Sequence, residues 1–362
     1  MRIDLPLHAP LPAVAEEAHS LRALGADGGF AFEGPHDVFF PLVAAATSGL
    51  DLYTNVAVAF PRSPWHLAQQ AWDLQAASGG RFALGLGSQV RAHVERRFGA
   101  AFDRPVDRMR EWVRAVKAIF ATWQHGAPLE FRGEFTTHTL HPPLLDPGPL
   151  PTGPPPVWVA AVGPRMTRMA AAEADGVMVH PFHSPESLQR DTLPWIEAGL
   201  ASAGRGRDAL ALVVGVIVCC GRTGAERAAA EAAGRALLGF YASTPAYRRV
   251  LDHHGWGRLQ PLAREHTRAG RWDELAALIP DEALDVLTVR GTPAEAGAEL
   301  RRRYRGVADR VALTLPAPPG PEALAELLGA ARGEPVTGGT YTRVEATSVE
   351  GTAPGGYGQG GP

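Results

Sequence analysis

Residues 64–87 read PWHLAQQAWDLQAASGGRFALGLG. Pro64–Ala77 predicts a helix, Gly79-Gly80 ends it, and Arg81–Leu86 predicts an apolar strand. Upstream, Leu52–Phe60 predicts another strand. The segment is therefore strand, helix, strand. Repeated units of this kind require parallel strands joined by right-handed crossovers.

The same alternation continues in both directions. Toward the N-terminus, 2–7 and Gly29–Phe32 predict strands. Each precedes a helical stretch, the first marked by Val14, Ala18 and Leu21 and closed at Gly25, the second over 39–47. Toward the C-terminus, Met109, Trp112, Val113, Val116, Ile119, Phe120 and Trp123 share one helical face, with Pro105 in the first turn. A proline-dense loop, 142–156, leads to strand 157–161, helix 165–173, strand 176–180, helix 186–203, strand 210–219 and helix 224–238. Residues 240–280 predict an irregular helical insertion. Strand 284–289, helix 293–304, strand 310–315 and helix 321–331 follow. About eight βα units close into a (β/α)8 TIM barrel with insertions. An open doubly wound sheet would need a glycine-rich dinucleotide turn after the first strand, and GLGSQV at 85–90 comes at the fourth. The expected organisation is one barrel domain over 1–332 and a Gly/Thr/Pro-rich tail over 333–362.

Composition narrows the function. The 362 residues are 45% hydrophobic and 20% charged, enough for a large core, and the formal net charge of -3 carries no basic footprint for nucleic acid. Of the 35 basic residues Lys117 alone is a lysine, a skew that fits a GC-rich genome. Cys219 and Cys220 are adjacent and cannot close a stabilising loop, which suits a reducing, cytoplasmic compartment. The longest apolar run, 209–220, is shorter than the ~20 residues of a membrane span, and no signal peptide is expected in MRIDLPLHAP.

In a parallel barrel the chemistry sits where the strands end. Five successive strand ends carry polar, Gly or His residues: FEGPHD (32–37), AFPRSP (59–64), GLGSQVRAHVERRFG (85–99), AAVGPRMTR (160–168) and VHPFH (179–183). His36 reads either as a satisfied structural histidine or, beside Glu33 and Asp37, as a proton donor. Gly85 and Gly87 allow close packing or the approach of a flat ring. Gly163-Pro164-Arg165 is a helix start with the character of an anion site. Arg96-Arg97 is a solvated face or a partner for an acidic cofactor tail. His180 and His183 are separated by Pro181, and no metal is expected.

These residues resemble a known family. An acidic residue and His after strand two, VAVAFPRSP (56–64), SGGRFALGLG (78–87) and VAAVGPRMTRMAAAEADGVMVHPF (159–182) are similar to the bacterial luciferase-like flavin and deazaflavin oxidoreductases. With SQVRAHVERRFG (88–99) they most resemble the subgroup that uses coenzyme F420. The resemblance covers roughly residues 1–315 and implies a catalytic role for His36. It implies cofactor contacts from Asp37, Val56, Ala57, Gly87, Gln89, His93, Ala161, Val162, Gly163, Arg165 and Met166. At Val56-Ala57 it implies a strand bulge, often with a cis non-prolyl peptide. Glu33 and His180 are expected in the substrate pocket. The implied activity is hydride transfer between reduced F420 and a polarised double bond of a small-molecule or peptide natural-product substrate. FMN-dependent monooxygenation and a non-catalytic flavin-binding barrel are the alternatives, and a homodimer is the expected assembly.

Overall fold

Alternating buried strands and one-sided helices run through the computed structural model, which describes residues 1–334. The expected tail therefore lies outside the described residues from 335 onward. Chain contacts divide the protein into two units: Met1–Val218 with Arg302–Leu315, and Cys219–Arg301 with the segment from Pro316.

The first unit holds the barrel, apart from the last two residues of the seventh strand. Its strands are β1 (Arg2–Pro6), β2 (Gly28–Ala31), β3 (Asp51–Thr54), β4 (Phe82–Gly87), β5 (Val157–Ala161), β6 (Gly176–Val179), β7 (Ala211–Cys220) and β8 (Arg310–Thr314). Each pairs in parallel with the next, β6 pairs with β7, and β8 returns to β1 with Arg2 opposite Arg310. Among the described residues these eight strands close the (β/α)8 barrel read from the sequence.

The interior is filled in layers. Phe30, Tyr53, Ala83, Trp158, Met178, Val213 and Ala312, one from each of β2–β8, pack as one cluster. Tyr53 lies between Phe30 and Trp158, with ring centroids 5.4 and 5.2 Å away. Gly85 makes this packing possible, because a Cβ there would overlap the Thr54 carbonyl and meet Met178 Sδ at 2.8 Å. Gly85→Ala is expected to lower stability by about 1–3 kcal/mol, the cost of overpacking. Urea unfolding checks this, and an unchanged midpoint would remove the packing role.

At the amino ends of the strands the interior turns polar. Arg310 on β8 donates to both oxygens of the fully buried Asp4 on β1, at 2.6 and 2.8 Å, and to Asp51 Oδ2 at 2.8 Å. The Tyr53 hydroxyl donates to Asp4 at 3.0 Å. Burial works against the guanidinium charge, but attraction and hydrogen bonding from Asp4 outweigh it and raise the Arg310 pKa. The polar floor leaves the carboxyl ends as the open side for chemistry.

Two strand expectations need correction. The strand expected over Leu52–Phe60 stops at Thr54. A cis peptide joins Asn55 to Val56, one bond before the expected position, and Ala57–Val58 then pairs with β4. The strand expected at 284–289 is a helix over Asp281–Leu287 followed by a strand over Thr288–Gly291. Pro280 as the helix cap and two acids in the first turn favour the helix start. The short apolar run that follows fits either period.

The second unit is largely helical, as expected for 240–280. It includes Gly224–Ala242, which opens on a Thr223–Glu226 capping box, Arg248–Asp252, Leu259–Arg268 and Pro321–Arg332. Cys219 and Cys220 are free and buried, and burial pushes their thiols up to about 12 and about 11. Among the described residues no helix is long and apolar enough to cross a membrane.

Candidate active site

Parallel strands bring their carboxyl ends to one side, so the polar strand ends meet there. After β2 the loop is organised by Arg62, which lies in the third-strand loop. Its Nη1 donates to Glu33 Oε2 at 2.7 Å and its Nη2 to Asp37 Oδ2 at 2.8 Å. The same Glu33 oxygen accepts from the Val58 amide at 2.7 Å, and Asp37 Oδ1 accepts from the Phe39 amide at 2.8 Å. The Trp112 indole ties the loop from below by donating to the Ala59 and Arg62 carbonyls, at 3.1 and 2.9 Å. Burial opposes the Arg62 charge, and hydrogen bonding and attraction from Glu33 and Asp37 raise its pKa on balance.

This arrangement redefines the trio read from the sequence. Glu33 and Asp37 direct their carboxylates to Arg62 and to the Val58 and Phe39 amides. His36 between them is left exposed. Arg97 also donates to the Gly34 carbonyl, joining the β4 loop to the β2 loop.

The β3 and β4 ends are closely fitted. Val56 is half-buried, whereas Ala57 is fully buried and offers only its backbone. A Cβ on Gly87 would collide with the Val56 side chain, so this glycine accommodates the residue after the cis bond. Gln89 adopts φ +54 and is exposed, its side-chain oxygen accepting from the Val90 amide at 3.0 Å. His93 is exposed on the short helix Arg91–Arg96, and partial burial with the Arg97 charge lowers its pKa.

After β5, Ala161 is buried and Val162 is exposed. Gly163 takes φ +80 with nothing within 4 Å of where a Cβ would stand. The first helical bond of Pro164–Glu173 runs from the Thr167 amide to the Gly163 carbonyl, so the Arg165 and Met166 amides lie ahead of it. The Met166 side chain is buried. The Arg165 side chain is exposed and lies in a groove along the helix.

The β6 corner is a histidine clamp. His180 Nδ1 accepts from the Phe182 amide at 3.1 Å. The His183 ring nitrogens bond the His180 carbonyl at 3.1 Å and the Tyr304 hydroxyl at 3.2 Å. Burial, then the neighbouring His183, pushes His180 down to about 3, and burial pushes His183 down to about 4. Both rings are therefore neutral near pH 7, and neither donates as an imidazolium. Among the described residues no group of three or more His, Cys, Asp or Glu could hold a metal.

Sequence reading missed Arg62 and His8, and it singled out Arg97 without its bond to the Gly34 carbonyl. His8 follows β1 and sets its ring edge-on to Phe32 at 6.2 Å, while burial lowers its pKa against the opposing charge of Glu17. Two acids close together in one short loop are the signal that could have pointed to a cation partner. Which of the many arginines supplied it was a matter of tertiary contact.

The sequence pattern described as luciferase-like monooxygenase matches residues 8–310. An uncharacterized protein of Mycobacterium tuberculosis is 44% identical, covering 86% of this chain and 92% of its own. A putative coenzyme F420-dependent oxidoreductase of the same organism is 30% identical, covering 78% and 83%. Among solved structures, the coenzyme F420 dependent tetrahydromethanopterin reductase from Methanopyrus kandleri superposes with TM-score 0.75 at 20% identity, covering 91% of this chain and 96% of that one.

Proposed function

This chain belongs to the luciferase-like monooxygenase family, and we propose that within it the protein is an oxidoreductase working with coenzyme F420. The reading rests most on one observation: His36 stands exposed on a loop whose two carboxylates are locked by Arg62. The relative described as F420-dependent supports the choice of cofactor.

The residues present suit such a group. A flat ring needs apolar surface, and Phe32, Val90 and Val162 are 41%, 42% and 41% exposed after β2, β4 and β5. Val56, Gly87, Gln89 and His93 would surround the ring. A phosphate needs donors, and the open Gly163 turn with the Arg165 and Met166 amides supplies them beside Ala161 and Val162. When bound, the reduced deazaflavin supplies hydride. His36 then gives a proton to the atom of the substrate that gains negative charge. Glu33, Asp37 and Arg62 hold His36 in place, while the neutral His180 contributes polarity to the pocket without a competing charge. The substrate class is a polarised double bond, as in an enone, a dehydroamino acid or an imine, on a small molecule or natural-product intermediate. Such chemistry belongs in the cytoplasm, where Cys219 and Cys220 stay reduced.

Fluorescence titration of the apoprotein with F420 and with FMN tests the cofactor. Saturable F420 binding is expected. Tight FMN binding without F420 binding would overturn the proposal in favour of an FMN-dependent monooxygenase.

A further inference from the structure

Helix Pro164–Glu173 places Arg165, Arg168 and Glu173 on one face, at positions i, i+3 and i+8. Together with Asp107, Arg110 and Arg114 of helix Pro105–His125, this face lines a groove of about 570 Å³. The volume lies within the range of small-molecule sites.

The charges in the groove do not balance. Arg110 pairs with Asp107 at 3.0 Å and approaches Glu173 at 3.7 Å, and Arg114 donates to Glu173 at 2.9 Å. The two acids are thus engaged by two arginines. Arg165 and Arg168 are exposed and have no acidic partner among the described residues. Side chains three apart on a helix are about 5–6 Å apart at Cβ, so these two guanidinium groups repel each other. They also lie in the first turns of their helix, where its dipole adds positive character. A concave surface with surplus planar guanidinium groups favours phosphate or carboxylate oxygens, which each can grip with two parallel bonds.

We propose that this groove is a binding site for a polyanion, an extended ligand with at least two phosphate or carboxylate groups held by Arg165 and Arg168. The ligand is a free polyanion other than the redox cofactor. The proposal does not depend on the redox cofactor, because the probe is tripolyphosphate alone.

Calorimetric titration of the full chain with tripolyphosphate tests it. Saturable binding that weakens with added salt is expected. The double variant Arg165→Gln/Arg168→Gln should weaken it by at least about tenfold. Arg264→Gln/Arg268→Gln, which removes equal charge from exposed positions on helix Leu259–Arg268, should leave it unchanged. No saturable binding, or equal losses in both double variants, would overturn the site. A second titration identifies the source. If the Arg165/Arg168 variant loses affinity for intact F420 but not for a deazaflavin truncated before its phosphate, the groove belongs to the cofactor site and a separate polyanion site is overturned. If neither affinity changes while tripolyphosphate binding is lost, the ligand is a separate polyanion.

Discussion

His36→Ala is expected to lower kcat by about 10²–10⁴, the contribution of a positioned general acid, while affinity for the redox cofactor changes little. The asymmetry follows from the geometry. The loop is held by Glu33, Asp37 and Arg62, and the Glu33 carboxylate also anchors the Val58 amide. Removing an exposed imidazole leaves those bonds intact, so the surfaces offered by Phe32, Val56 and Val162 stay in place. A collapse of cofactor binding together with turnover would instead give His36 a binding role. Equal rates in variant and parent, with substrate saturating, would exclude it as the acid. The pH profile separates the cases further, because a proton donor's titrating limb disappears with its side chain.

Arg310→Met is expected to destabilise the protein by about 3–5 kcal/mol, the usual cost of breaking a buried ion pair from one side. Asp4 would then lose charge-assisted bonds to both oxygens and keep only the Tyr53 hydroxyl. Tyr53→Phe removes a weaker link and should cost about 1–3 kcal/mol. The double replacement Asp4→Leu/Arg310→Met should recover much of the single variant's loss, because no stranded charge remains. Urea unfolding of the set gives the coupling directly. A loss below about 1 kcal/mol for Arg310→Met, the size of an ordinary point-mutant effect, would show that the floor does not depend on this pair.

Much of the architecture was legible before any coordinates. The helix face from Met109 to Trp123 is buried where its spacing placed it, and Gly126 closes that helix at φ +67. Legibility failed where the pattern was short or broken. The run over 284–289 fits two periods, and the cis bond at Asn55-Val56 interrupts a strand that reads continuous because the residues on either side are mostly apolar. The candidate site was legible as a place more than as a set of roles. His36 was singled out and remains exposed. Its neighbours Glu33 and Asp37 are paired with Arg62, and the Ala57 and Met166 side chains are packed inside.

On its own, the sequence determined that strand and helix alternate into a closed parallel barrel, and therefore which loops share the open end. Periodicity is local, written in spacings of two and of three to four residues, and a chain carries it without reference to distant partners. Only the tertiary structure decided which polar groups are committed and which remain available. Arg62 answers acids 29 and 25 residues away, and Arg310 answers an acid 306 residues away. No local spacing encodes such pairings, because they exist only once the barrel has closed and burial has made an unpaired charge costly. That same closure leaves Arg165 and Arg168 in a groove whose two acids, Asp107 and Glu173, are already engaged by Arg110 and Arg114.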